Sequence, residues 1–538
     1  MSTTSLRARI CTMILASGFC SGGLTACGTA GLPQVMDARD VHPASGTPRI
    51  TRIRDIGTVL LPRTGVFAAI SDGSASPGEL LLVEGNGFGR QPTVSVGGRA
   101  AEVIARVDGD GVIVRVPAGA ETGMVDVGVT TAGGVAKLGT QLHRRVVALF
   151  DGRVRFASIG HDGVAAPSRE LAIPGARHVR VDSTGGIALV LGDSADASAI
   201  TVVDLGRTDP VSLGQLALGY RASALAVAAI APRFAAVGDG KVTLFDTTSL
   251  RRPVMFDTVA LPKEARGIRA AELSPDGKVL ALLLADGNRL LSIDVTTPTS
   301  PQVSSILDVL PGERQSLVRD LAFAPDGQTL WIVSGASAET HPQLVATRIT
   351  AVRMLTAYAE GDASAAAVEP GHPIDRMRRQ LAVWKSQVVP NTGAPLALSV
   401  GKAPDQQGSA IRSAPEAATV YLTAVKAGAF DLKRGDVDLA RLRKALVGND
   451  VGTIARAELG GGGGPVAPTP ELLGPLVVPA GDKRVLALAL HLTDGGVQVG
   501  VDDVSLETGG SARFLSLGTL PATQVRPPFS FGDLAIQP

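Results

Sequence analysis

Four sets of residues in this chain have types and spacings that invite a chemical reading. The first is Gly85–Asn86–Gly87–Phe88–Gly89, which directly follows the apolar run Leu80–Leu81–Leu82–Val83. Glycine-rich turns after strands bring backbone N–H groups up to a pyrophosphate, so this stretch raises the question of phosphate binding. The second is a pair of acids, Asp276 and Asp326, set in the matching turns Ser274–Pro275–Asp276–Gly277 and Ala324–Pro325–Asp326–Gly327. Repeated carboxylates of this kind could ring a pore. The third is the set of seven histidines, His42, His143, His161, His178, His341, His372 and His491, as metal ligands or bases. The fourth is Cys27, which ends the short stretch Leu24–Thr25–Ala26–Cys27.

Most of these reduce to local geometry. A dinucleotide site needs a helix right after the glycines, because the helix N-terminus carries part of the anion binding. Here Gly89 leads to Pro92 and the alternation Thr93–Val94–Ser95–Val96, which predicts another strand, so the phosphate reading fails. The turn aspartates read as Asx-type residues bonding their own backbone. No two histidines stand at metal-ligand spacing, although a ring-shaped fold could gather distant ones at its centre. No Gly–x–Ser–x–Gly elbow occurs, and Asp108–Gly111 and the loop after His161 lack the ligand count of a calcium loop. The sequence thus gives no catalytic residue, no metal ligand and no cofactor.

Composition narrows the classes further. The chain has 538 residues, 45% hydrophobic but only 3% aromatic, with 64 Gly and 34 Pro, which suits many short strands joined by tight turns. Fifty-one basic residues balance fifty acidic ones without a basic stripe, so nucleic acid is not expected as a partner. Two Trp and three Tyr are few for a sugar-stacking or adhesive platform.

The N-terminal stretch places Arg7 and Arg9 before the apolar run Ile10–Cys20, with no acid before Asp37. This is the pattern of an export signal and too short for a membrane span. Leu24–Cys27 resembles the lipobox of bacterial lipoproteins, which implies cleavage after Ala26 and lipidation of Cys27. The three cysteines are Cys11, Cys20 and Cys27, so that cleavage leaves no pair for an internal disulfide. Gly28, where no Asp stands, implies by the same resemblance the outer membrane. Residues 27–65 are then expected as a lipidated N-terminus and tether, rich in Gly, Pro, Ser and Thr at first.

Two repeat textures follow. Pro77–Gly78, Gly85–Gly89, Val94–Gly98, Val116–Pro117, Gly123–Val127 and Gly133–Gly134 come in the order and spacing of an IPT/TIG domain. Residues 66–140 resemble that family, which implies an immunoglobulin-like β-sandwich with Phe88 plugging its core. From residue 141 to 538, units of an apolar strand, a turn, a second strand and a third recur at about 46 to 50 residues, the period of a β-propeller. Their Pro–Asp–Gly turns resemble bacterial propellers of the YVTN/lactonase-like and WD-repeat-like groups. Arg145–Gly160 lacks an innermost strand, and Pro527–Pro538 could supply it, giving seven blades, with six or eight as alternatives. Insertions are expected near 356–396 and 435–470; Pro373–Trp384 could be an inserted helix or part of an extra blade, and Asp436–Val447 has helical spacing. The expected fold is all-β: signal and tether, sandwich, propeller.

The function expected from these features is a lipid-anchored envelope binding or scaffold protein engaging an envelope protein partner. The alternatives are a lactonase-like propeller hydrolase with a site in the central channel and a surface adhesion module. Mass spectrometry of the exported product is expected to find an acylated thioether on Cys27, and Cys27→Ala should leave the protein in the aqueous fraction. A membrane-bound product with an unmodified Cys27 would contradict the lipobox reading.

Overall fold

The computed structural model describes residues 46–57, 74–107, 111–308 and 317–335, less short loop stretches within them, then the later strands named below and residues 533–538. The export signal, Cys27, the tether up to residue 45 and Asp326 lie outside the described residues. The described chain is almost entirely strand, with a single short 3₁₀ turn at Lys263–Ala265.

The first unit has seven strands, β1 (Arg49–Asp55), β2 (Leu80–Asn86), β3 (Thr93–Val96), β4 (Arg99–Val107), β5 (Gly111–Arg115), β6 (Gly123–Thr131) and β7 (Gly134–Leu142). They are ordered β1-β2-β5-β4-β3-β6-β7, and the sheet folds over so that β1 also packs on β7. Between the two layers lie Leu81, Val83, Val94, Val96, Val112, Val114, Val127 and Val129. Phe88 is fully buried among them, and Gly87 and Gly89 take the positive φ values, 73° and 61°, that the corner needs. Leu80 and Leu82 point the other way, against Val107 and Ile113, which is why the β2 run is unbroken by polar residues. One expectation is corrected here. Arg49–Asp55, expected within the tether, is a strand paired with β2 and joined to it by an Arg54–Glu84 ion pair.

The second unit is a seven-bladed propeller, one sheet per blade. The inner strands of blades 2 to 7 are Ala176–Val181, Ala224–Val227, Ile268–Leu273, Leu317–Phe323, Ala394–Gly401 and Leu472–Val477. Blade 1 takes its inner strand from the far end of the sequence: Asp533–Ile536 pairs antiparallel with Arg144–Phe150. The inner strands follow one another around the axis in this order, and the last packs on blade 1.

Each second strand is buried on both faces, which accounts for its continuous apolar run. In blade 2, Ile187, Leu189 and Leu191 meet Phe234 and Phe245 of blade 3, while Ala188 and Val190 meet Val147 and Phe156 of blade 1. Blade 4 repeats the scheme: Leu280 and Leu282 face blade 3, and Ala281 and Leu283 face blade 5. The rings of Phe234 and Phe245 stack 4.2 Å apart in this packing.

The expected helix in Pro373–Trp384 is also corrected. Arg376–Val388 is the outer strand of blade 5 and pairs with Gln343–Met354, while residues 355–375 and 389–393 of the expected insertion lie outside the described residues. Near the second expected insertion, Phe430–Asp431 and Asp436–Val437 form a small two-stranded sheet, and Gly464 begins a strand of blade 6.

Sandwich and propeller are bonded to each other. The Gln537 side-chain amide donates to Ser76 Oγ (3.2 Å), Pro77 O (3.1 Å) and Gly185 O (2.6 Å), and its oxygen accepts from Arg145 N (2.7 Å). Gly119 N donates to Pro538 O at 2.8 Å, and Arg144 donates to Ala120 O at 2.8 Å. Gly78 sits so close to blade 2 that an added Cβ would fall 2.7 Å from Gly185 C. Gln537→Ala is expected to lower stability by about 1–3 kcal/mol, since it strands buried partners on both units. Urea denaturation checks this, and an unchanged midpoint would show that the junction carries no energy.

Candidate functional site

The inner strands can be aligned residue by residue from their own hydrogen bonds. In five blades the residue just past the inner strand donates its N–H back across the turn. The pairs are Asp182 to Ile187 O, Ala228 to Arg233 O, Ser274 to Val279 O, Ala324 to Thr329 O and Gln537 to Arg145 O, all at 2.7 to 3.1 Å. Counting back two residues from each donor gives one layer: Arg180, Ala226, Glu272, Ala322 and Ala535. Counting back four gives His178, Ala224, Ala270, Asp320 and Asp533. Charged residues of four blades therefore share two adjacent layers on the strands that surround the axis. Blade 3, with Ala224 and Ala226, shows that the fold itself does not demand charge there.

The centre of the cluster is Asp533. Its Oδ2 accepts from Arg180 at 2.6 Å and from Val179 N at 3.0 Å, and His178 Nδ1 lies 3.6 Å away. The other imidazole nitrogen, Nε2, is 3.0 Å from Ser223 O of blade 3, so His178 spans three blades. Asp533 is 11% exposed, whereas the side chains of Arg180 and His178 are about a third exposed, 32% and 31%.

Electrostatics divide the carboxylates. Burial pushes Asp533 up, but the Arg180 guanidinium and His178 outweigh it and hold Asp533 down at about 2. Burial pushes Glu272 up to about 8, opposed by Arg180 and by a bond from Phe323 N and reinforced by the charge of Asp320. Arg180 is disfavoured by burial, yet the charges of Asp533, Glu272 and Asp320 together raise it. Arg269 is lowered by burial, which Asp320 offsets only in part. The two carboxylates are thus shifted in opposite directions, Asp533 down and Glu272 up. Such a contrast can serve acid–base chemistry, or it can serve recognition through one acceptor and one donor.

Three of these inner strands carry one extra residue. The register shifts between Ala176 and His178, between Ile268 and Ala270, and between Val318 and Asp320, which leaves Arg177, Arg269 and Arg319 as the bulged residues. A bulge re-aims the side chain it carries. Arg177 is taken up by Asp193 Oδ1 at 2.8 Å and by Ala222 O at 2.5 Å. No hydrogen bond or ion pair among the described residues holds Arg269, and the charge it feels is that of Asp320.

The residues singled out in the sequence fall as follows. Of the three described histidines, His178 is the one that reaches the channel. His143 is buried at the junction of the two units, His491 packs beside Phe514 with ring centres 5.6 Å apart, and the other four lie outside the described residues. Asp276 is a turn residue: its Oδ1 accepts from Ser274 Oγ (2.7 Å) and Lys278 N (3.2 Å), and these bonds with Lys278 outweigh burial to lower it. Among the described residues no three His, Cys, Asp or Glu side chains are placed to hold a metal ion. Arg376, Arg378 and Arg379 sit along the outer strand of blade 5 rather than on a helix. Sequence reasoning missed Arg180, Arg269, Glu272, Asp320 and Asp533. The available signal was charge inside the first strand of each repeat, in Val179–Arg180–Val181, Ala271–Glu272–Leu273 and Arg319–Asp320–Leu321, where the second strands are apolar throughout.

Stability should follow the two carboxylates in opposite senses. For Glu272, raised in the fold, stability is greatest below its ordinary range and declines up to about pH 8; Glu272→Gln should flatten that decline. For Asp533, depressed in the fold, stability holds above its ordinary value of 3.8 and is lost as pH falls toward about 2. Melting curves from pH 3 to pH 9 check both, and parallel profiles for wild type and Glu272→Gln would contradict the first.

Comparison with known proteins bears on the fold. Curated protein sequences give no match. Among solved structures, the chain resembles the periplasmic gluconolactonase PpgL of Pseudomonas aeruginosa at 13% identity, over 74% of this chain and 99% of that one, with a TM-score of 0.42. It resembles Kuenenia stuttgartiensis hydrazine synthase at 14% identity, over 62% and 77%, with a TM-score of 0.37. It resembles the Cps50 (Swd1) β-propeller domain of Myceliophteria thermophila at 13% identity, over 59% and 95%, with a TM-score of 0.29. Likeness at this level says nothing about the channel chemistry. The family model that matches is that of the IPT/TIG domain, over residues 66–143, and it is this sandwich that the chain places ahead of its propeller.

Proposed function

We propose that this chain is a binding or scaffold protein of the cell envelope, carried on a lipid at Cys27, with the propeller as its recognition element. The observation that supports this is the convergence of charged side chains from four blades on the axis, at positions where blade 3 has alanines. Partially exposed Arg180 and His178 keep that convergence open to a ligand. The sandwich bonds to the turn at Gly185 and to Gln537, both at the ends of inner strands. That leaves the opposite face, where the inner strands begin, directed away from the sandwich and its tether. An envelope protein partner would meet that face, and Gly28 favours the outer membrane as the site of anchoring.

A second reading, hydrolysis in the same channel, is favoured by the contrast between Glu272, pushed up by burial, and Asp533, held down by Arg180. Glu272 would then protonate a leaving group. Turnover of a panel of lactones and esters that disappears in Glu272→Gln would support it, and an inert wild type would set it aside.

The binding reading is tested by affinity purification of the mature protein from envelope extracts, beside Arg269→Glu. Wild type is expected to retain a defined envelope protein that the variant loses. Identical sets of bound proteins would contradict recognition by the channel face.

A further inference from the structure

Three chemically identical side chains stand at one repeated structural position. Arg177, Arg269 and Arg319 are the extra residues of the inner-strand bulges in blades 2, 4 and 5, each five positions before its blade's turn donor. Blade 3 has Ser223 there and no bulge. Blade 6 has the bulge, with Leu396. The bulge is thus a device of the propeller, and arginine stands at it in three of the five described inner strands that carry one extra residue. Their backbone positions lie near the start of the inner strand, at the end opposite the sandwich contacts of Gly185 and Gln537.

Local charge balance at this mouth is uneven. Arg177 has Asp193 and Arg180 has Asp533. Arg269 has neither a hydrogen bond nor an ion pair among the described residues, and Asp320, whose field it feels, also serves Arg180. Asp320 Oδ1 is already engaged by Leu321 N at 2.9 Å. Glu272, on the same strand as Arg269, is pushed up by burial. Arg269 is exposed and without a bond among the described residues, and such a guanidinium can receive a planar oxyanion bidentately.

We infer that the channel mouth where the inner strands begin is a binding site for a small molecule bearing an oxyanion, a carboxylate or a phosphate, seated on Arg269. This rests on the propeller being the recognition element and names the ligand class for it. Arg177 and Arg319 hold the matching backbone positions in blades 2 and 5.

The test is calorimetric titration of the mature protein with citrate and, separately, with inorganic phosphate, at low ionic strength. One of the two is expected to bind to wild type, and the arm that responds identifies the oxyanion. Arg269→Gln is expected to weaken that binding by about tenfold or more, and Arg269→Lys, which keeps the charge but not the fork, to fall between. Added salt should weaken wild type more than Arg269→Gln. Failure of both anions to bind wild type, or equal binding by Arg269→Gln with an unchanged melting temperature, would overturn the inference. Loss of anion binding alongside an Arg269-dependent envelope protein would do so while leaving the broader binding function standing.

Discussion

One strip of chain, residues 533–538, ties the molecule together. Its strand half closes the propeller by pairing Asp533–Ile536 with Arg144–Phe150, so that no inner edge of blade 1 is left unpaired. Asp533 then clamps blade 1 to blade 2 through Val179 N and Arg180, and Gln537 clamps both blades to the sandwich. A ring of sheets is stable only when its last blade is covered, because each sheet here buries both faces. A few side chains in one strip therefore decide whether several apolar interfaces can exist together.

The same strip shapes the electrostatics of the axis. Asp533 stands at the level of His178 and Asp320 because β-pairing fixes its register, and the neighbouring layer brings Arg180 and Glu272. In a partly dry channel these charges interact more strongly than they would at the surface. Arg180 is the common partner, so the states of Asp533 and Glu272 are set together rather than one at a time. The structural clamp and the candidate recognition site share atoms, and a ligand that engages Arg180 would also act on the closure of the ring.

Much of the architecture could be read from the residues. The glycine corner around Phe88, the Pro–Asp–Gly turns and the both-faces-apolar second strands each have a local signature, because one residue type or one period suffices to mark them. The closure by Pro527–Pro538 could also be read, since Arg145–Gly160 has too few strands for a blade. The channel could not. His178 and Glu272 are 94 positions apart and Glu272 and Asp533 are 261 apart, and only register places them in neighbouring layers. Arg269 looks like an ordinary surface charge until the bulge beside Ile268 is seen. The strand Arg49–Asp55 was hidden by arginines at 49, 52 and 54 and by a register shift after Ile50. The helix-like spacing of Pro373–Trp384 yielded to twelve residues of pairing with the preceding strand, a tertiary preference that local pattern does not carry.

The most direct measurement of the central claim is equilibrium unfolding of the chain cut back to Gly532, followed both by intrinsic fluorescence and by hydrogen exchange in blades 1 and 2 and the sandwich. If the strip is the fastening of the whole, the shortened chain loses its cooperative transition, and protection falls in all three places at once. A shortened chain that unfolds at the same denaturant concentration, with the sandwich and blade 2 as protected as before, would contradict the account.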